Sequence, residues 1–277
     1  MRIHSPTTIE DACAVMAQGT GAPTPIAGAT DLLVHWPANL KARERDYLDL
    51  TRIDSLRPIR WSADTLTLGA LTTYWDVVRD ERIAREFPLL VTAARQVGAV
   101  QIQSRGTWAG NIANASPAAD GVPVLMAYDA VVVLRSSSGE ETIRLDEFYL
   151  DYKKMRKRPD QLITEIHIPR RTHSVAIFEK VGARKAQAIS KVSLAMTRSD
   201  AGWRIVAGAV APTVRRCKSV ESLLDACTPV TGPGGLLTAL RADVSPIDDI
   251  RSTKVYRERV LARLLYHDLR GVCPWFV

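Results

Sequence analysis

One run constrains this chain more than any other: Arg105-Gly106-Thr107-Trp108-Ala109-Gly110-Asn111-Ile112-Ala113-Asn114-Ala115-Ser116-Pro117-Ala118-Ala119-Asp120. Small residues, hydroxyls and amides follow one another, with Trp108 as almost the only bulk. Such a run is poor material for a helix or a core strand. It lets backbone come close to a polar group and presents many N–H donors. An anion suits it, most simply the diphosphate of a nucleotide. A second run of the same character, Pro25-Ile26-Ala27-Gly28-Ala29-Thr30-Asp31-Leu32, lies much earlier. The expectation is that the two loops grip one dinucleotide from two sides.

The surrounding pattern supplies a scaffold for them. Thr7-Thr8-Ile9-Glu10 reads as a capping box, with Thr7 at the cap and Glu10 three residues on. Ile9, Ala12, Cys13 and Met16 recur at helical spacing, and Gly19 ends the element. Thr24 to Ala27 reads as a buried strand broken by Gly28, and Thr30 or Asp31 can cap a short turn over Leu32–His35. Taken alone, that is a plain loop with a helix cap. Tyr47–Leu50 and Leu66–Leu68 read as strands, and a threonine caps a helix over Tyr74–Arg79. Pro88 to Val97 is a better helix, apolar at Leu89, Leu90, Ala93, Ala94 and Val97 and closed by Gly98. After the long run, Ala130–Leu134 is a strand buried on both faces, turned by Ser136–Gly139 into a partner, Thr142–Leu145. Leu162–Ile168 is a further strand ended by Pro169.

Arg170 to His173 is the candidate boundary. Beyond it, Val175–Lys180, Ala188–Met196 and Trp203–Val210 read as a three-stranded antiparallel meander. Short helices follow at Ser219–Ala226 and Gly235–Leu240, then a long one at Thr253–Leu269. On that last helix Val255, Val260, Leu261, Leu264 and Leu265 form the apolar side, and Arg251, Lys254, Arg257 and Arg259 fall among the polar positions.

Composition sets the outer limits. The chain has 277 residues, 46% hydrophobic and 24% charged, enough for two or three compact subdomains. No apolar run approaches the length of a membrane span and no signal-like stretch opens the chain, so the cytoplasm is expected. The net charge of +7 admits nucleic acid as a partner, but the basic residues are scattered and few aromatics alternate with them. The one dense run, Lys153-Lys154-Met155-Arg156-Lys157-Arg158, is either a solvated loop or a contact with an acidic partner or an anionic cofactor. Cys13, Cys217, Cys227 and Cys273 lack metal-ligand spacing, so no metal or disulfide framework is expected. The five histidines, His4, His35, His167, His173 and His267, are isolated and are given no chemistry.

Three segments carry a family resemblance: AGATDLL near residue 30, GTWAGNIANASPAAD near residue 110, and FEKVGARKAQAISKVSLAM from Phe178 to Met196. In their order, and with the Val-rich hairpin, the chain resembles the FAD-binding (medium) subunit of the molybdenum hydroxylases, the xanthine dehydrogenase and carbon monoxide dehydrogenase family. The resemblance implies an α+β fold. A two-lobed FAD-binding domain spans residues 1–170 (lobes about 1–57 and 58–170), of the type shared with vanillyl-alcohol oxidase. A C-terminal flavoprotein domain spans 171–277. It further implies that Pro25 to Leu32 wrap the FAD diphosphate with backbone amides. Thr107, Trp108, Ala109, Gly110 and Asn111 form the second phosphate and ribityl clamp, and Asn114 and Ser116 add polar contacts. Asp120 accepts from a cofactor hydroxyl. Ile163 and Lys180 stand beside the isoalloxazine ring, where a lysine stabilises reduced, anionic flavin.

By the same resemblance the chain has no catalytic acid, base or nucleophile for the hydroxylated substrate. A large subunit with the molybdopterin cofactor oxidises it, a small subunit with two [2Fe–2S] clusters relays electrons, and FAD passes them to an external acceptor, in a dimer of heterotrimers. Two departures stand out: the family's glycine pairs appear as Gly28-Ala29 and Ala109-Gly110, and the 151–159 linker carries Asp151, Lys154 and Met155. A methyl group is tolerable where φ is negative and costs roughly 1 kcal/mol or more in the left-handed region. A stand-alone flavin oxidoreductase and a flavin-free assembly subunit are the competing expectations.

Overall fold

The computed structural model describes residues 1–18, 21–35 and 44–277. The amino-terminal segment runs β1 (Ile3–His4), α1 (Ile9–Ala17), β2 (Thr24–Ile26), α2 (Leu32–His35) and β3 (Tyr47–Asp49). Its strands form a parallel sheet in the order β1-β3-β2. The cap of α1 is Thr8 rather than Thr7: Thr8 accepts from the Asp11 amide, and its hydroxyl donates to the Asp11 carboxylate at 2.7 Å. That one-residue shift leaves Ala12, Cys13 and Met16 buried, as their spacing requires. The expected stop at Gly19 lies outside the described residues.

A five-stranded antiparallel sheet follows, its strands Ile59–Trp61, Thr65–Gly69, Leu162–Pro169, Val131–Ser136 and Gly139–Arg144 in that spatial order. It opens with β4 (Ile59–Trp61) and β5 (Thr65–Gly69). Six helices come next: α3 (Tyr74–Arg79), α4 (Glu81–Glu86), α5 (Pro88–Gln96), α6 (Val100–Gln103), α7 (Trp108–Asn114) and α8 (Gly121–Ala127). Then come β6 (Val131–Ser136), β7 (Gly139–Arg144), α9 (Leu145–Phe148), a hairpin of β8 (Tyr149–Asp151) and β9 (Lys154–Met155), and β10 (Leu162–Pro169). Thr73 caps α3 through a reciprocal pair of bonds with Asp76. Gly98, at φ +52°, closes α5.

The run expected to avoid helix contains α7. Thr107 caps it, its hydroxyl accepting from the Gly110 amide at 3.0 Å, and Trp108 and Ile112 are fully buried beneath it. A glycine in a helix costs roughly 1 kcal/mol, while burying the large indole returns about 2 kcal/mol or more. Burial therefore overrides the poor propensity of the run.

The remaining chain forms a second antiparallel sheet, β11 (Val175–Val181), β12 (Val192–Ser199), β13 (Gly202–Gly208) and β14 (Arg215–Arg216), in that order. The expected three strands are therefore four, since β14 is too short and too polar to show alternation. The second strand starts at Val192, not Ala188. α10 (Lys218–Asp225), α11 (Leu237–Asp243) and α12 (Lys254–Arg270) follow, with a 3₁₀ turn at Pro233–Leu236 displacing the start of α11 from the expected Gly235. On α12 two expected positions exchange sides: Val255 is exposed and Arg257 is 3% exposed. The Arg257 guanidinium donates through its two terminal nitrogens to Ala209 O at 2.5 Å, Lys191 O at 3.2 Å and Asp249 at 2.7 Å, so its charge is met inside while Nε has no partner among the described residues. Phe178, Ala195 and Val206 of the second sheet pack into the core that α8 shares with the first, and the whole is α+β as expected.

Candidate functional site

The two side-chain-poor segments touch. A Cβ on Gly28 would lie 1.8 Å from the Arg105 carbonyl oxygen, so backbone of the second segment occupies the place of a side chain on the first. Asn114 Nδ2 donates to Asp31 Oδ1 at 2.9 Å and ties them again. Among the described residues, the amide N–H groups of Gly28 to Leu32 and of Ala109 have no acceptor. Their donors are left for something not part of the chain. Ala29 sits at φ +58°, the strained alternative for this departure, and so costs about 1 kcal/mol against glycine. Ala109 lies in the first turn of α7 without positive φ, and its methyl group carries no such cost.

Beside this contact lies a cavity of about 780 Å³, within the roughly 300–1,000 Å³ of small-molecule clefts. Pro25, Ile26, Ala27, Gly28, Ala29, Thr30, Asp31 and Leu32 line it from one side. Thr107, Ala109, Gly110, Asn111, Asn114, Ser116 and Asp120 line it from the other, and Ile163 joins from β10. The buried Asn111 Oδ1 has no hydrogen-bond partner. Trp108 and Lys180 do not line the cavity. The Trp108 ring is buried in the core, 5.1 Å from the Tyr74 ring.

Lys180 stands behind Asp120. Its Nζ donates to Asp120 Oδ2 at 2.6 Å and to Gln96 O at 2.9 Å, and Ser190 donates to the other Asp120 oxygen at 2.6 Å. Burial raises the Asp120 carboxyl above the ordinary range, against the pull of Lys180 and Ser190. Asp120 precedes α8 but makes no side-chain cap to it, so the plain capping role does not describe it. Lys180 and Ile163 come from different sheets, β11 and β10.

Sequence reasoning missed several wall residues. Tyr74, Val97 and Ile102 give apolar surface, and Gln187, Ala188 and Ile189 come from the connection before β12, the last two inside the segment expected as strand. Arg251 arrives from the turn before α12. The basic run divides: Met155 and Lys157 line the cavity, and Lys153 Nζ reaches Asn114 O and Oδ1 at 2.5 Å. Lys154 and Arg156 stay outside, near Asp151 and Glu147. A period of two within the run was the available signal. All four cysteines are free, Cys227 exposed and the others buried.

Residues 1–171 match the family model of the FAD binding domain in molybdopterin dehydrogenase, and residues 178–272 match that of the CO dehydrogenase flavoprotein C-terminal domain. An α+β flavoprotein with a cleft at paired amide-rich loops is the class that fold and site define. The chain belongs to the FAD-binding subunit family of the molybdopterin dehydrogenases, an oxidoreductase family of the xanthine and carbon monoxide dehydrogenase type. The nicotinate dehydrogenase FAD-subunit of Eubacterium barkeri is 34% identical over 207 residues, 72% of this chain and 69% of that one. The carbon monoxide dehydrogenase medium chain of Hydrogenophaga pseudoflava is 26% identical over 274 residues, covering 97% and 95%. In fold, the chain matches a solved carbon monoxide dehydrogenase chain from Hydrogenophaga pseudoflava with a TM-score of 0.87, at 24% identity and covering 100% and 98%. No described helix is long and apolar enough to cross a membrane.

Proposed function

We propose that this chain is the FAD-carrying electron-transfer subunit of a heteromeric molybdenum hydroxylase, divided near residue 170 into an FAD-binding part and a C-terminal part. The Gly28–Arg105 backbone contact carries the reading, because it brings two sets of uncommitted amides to one cavity. The residues fit the cofactor: a cradle that a Cβ would fill, free donors for a diphosphate, the unpartnered Asn111 Oδ1, and apolar wall at Val97, Ile102 and Tyr74 for a flat ring. Pro25 to Leu32 and Thr107 to Asn111 hold the diphosphate through main-chain N–H groups, with Trp108 bracing the second segment from the core. Asn114 and Ser116 add polar contacts, Ile163 packs from the wall, and Asp120 accepts from a cofactor hydroxyl. Lys180 and Ser190 keep the Asp120 carboxylate aimed into the cleft. FAD, when bound, supplies reversible one- and two-electron chemistry; the chain binds, orients and shields it.

In the complex, a small subunit with two [2Fe–2S] clusters delivers electrons that a large molybdopterin subunit has taken from the substrate. An external acceptor then removes them. The assembly is a dimer of heterotrimers in the cytoplasm. The relatives' names, FAD-subunit and medium chain, support a partnered role. The test is purification of the full chain, alone and with its two partner chains, followed by visible spectroscopy. One flavin per chain, bleached by substrate only when all three chains are present, is the expected result. A chain that stays colourless after FAD addition, or that turns over a substrate alone, overturns it.

A further inference from the structure

Residues 25–32 and 106–120 contain no lysine or arginine, and Arg105, which opens the second run, does not line the cavity. A dinucleotide diphosphate carries two negative charges, and the charged groups on the cavity wall are nearly all spoken for. Of the two basic residues that line it, Arg251 meets Asp249 at 3.0 Å, a carboxylate it shares with Arg257 at 2.7 Å, while Lys180, behind the wall, is paired with Asp120 at 2.6 Å. Among the described residues, the Asp31 carboxylate meets the neutral amide of Asn114 and no cation. Lys157 is the other basic residue on the wall. Its Nζ donates to Gln161 O at 2.6 Å and Arg158 O at 3.0 Å, and among the described residues no carboxylate lies within ion-pair distance of it. Asp160, which acts on it at longer range, is held by Arg158 at 3.1 Å.

Two carbonyls occupy two of the three donors of an ammonium and leave one. They fix its position without cancelling its charge. Burial also depresses the Lys157 pKa, a cost that an anion in the cavity would offset. We propose that Lys157 is a further ligand of the FAD diphosphate, giving its third N–H to a phosphate oxygen and supplying the side-chain cation that both loops lack. This rests on the FAD reading above. It also accounts for the basic run, whose outward members remain solvated.

The test uses the full chain stripped of FAD, with FAD, ADP and adenosine as probes. Lys157→Met weakens FAD and ADP about tenfold and leaves adenosine, which has no phosphate, unchanged. Lys157→Arg keeps most of the affinity for all three. Melting temperatures of the unliganded variants confirm that each folds. FAD and ADP dissociation constants within about twofold of the parent overturn the assignment. So does an equal loss for adenosine, which would place Lys157 on the nucleoside. If the parent itself binds neither FAD nor ADP, the FAD reading fails, and this assignment falls with it for that separate reason.

Discussion

Gly28 and Ala29 are neighbours that obey opposite rules. Gly28 needs glycine for space, since a methyl group would meet the Arg105 carbonyl at 1.8 Å. Ala29 lacks the freedom glycine would give it at φ +58°. Gly28→Ala therefore forces the two segments apart, and FAD retention, read as flavin absorbance after gel filtration, should fall about a hundredfold in affinity or more. Ala29→Gly should do the reverse to stability. Relief of about 1 kcal/mol raises the melting temperature by roughly 2–4 °C in a chain of this size, and an unchanged or lower value would contradict the left-handed conformation. Residue types made both positions legible as loop, and the Gly-to-Ala departure itself was visible. The sign of φ was not, because it depends on where Arg105 and Gly106 lie. The same limit hid Lys180's partners: its sequence position named it, and only the fold shows its charge spent on Asp120 and Gln96 O.

At the scale of elements, α7 shows how burial overturns a propensity reading. Its carboxyl end is held by the β8–β9 hairpin, where Tyr149 OH donates to Ile112 O at 3.0 Å and Lys153 to Asn114 O. Lys153→Met should cost about 1 kcal/mol or less, because the lysine is exposed, yet weaken FAD binding several-fold by loosening α7; titration and thermal melting separate the two effects. On α12, Asp268 is pushed up to about 6 by burial and by Glu179, and one of its oxygens has no partner. The unfolded carboxyl titrates near 3.9. Between those values the folded chain holds a proton that the unfolded chain has lost. This group therefore favours folding more as pH falls through about 6, and works against it at pH 8. Asp268→Asn should raise the melting temperature at pH 8, with the gain shrinking toward pH 5; a constant gain would show that the carboxyl does not titrate there. Helix existence was readable from apolar spacing, but a buried Arg257 or Asp268 on a helix of mixed charge was not. Whether such a side chain turns in is decided by the element packed against it.

For the whole molecule, an ionic network runs beside the apolar core that joins the two family segments. Asp129 meets Arg204 at 2.8 Å, and Arg144 and Arg171 at 3.2 Å. Asp146 meets Arg144 at 2.9 Å and Arg216 at 3.3 Å, and Arg216 continues to Glu221 at 2.8 Å. Asp129→Asn keeps a residue type tolerant of the φ of +60° there and removes the charge. It should cost about 3 kcal/mol, seen as a lower urea midpoint, and should split the unfolding into two transitions if this network couples the halves. A midpoint shift under about 0.5 kcal/mol would show the network to be incidental. The two amide-rich segments and the resemblance they carry made the architecture legible, whereas this network was not, since its partners are scattered singly over the sequence. The wall of the cleft draws on residues from Thr24 to Arg251, so it is complete only once Arg251 has been made and has packed against the rest. A nascent chain stalled before Arg251 therefore lacks a finished wall for a ligand.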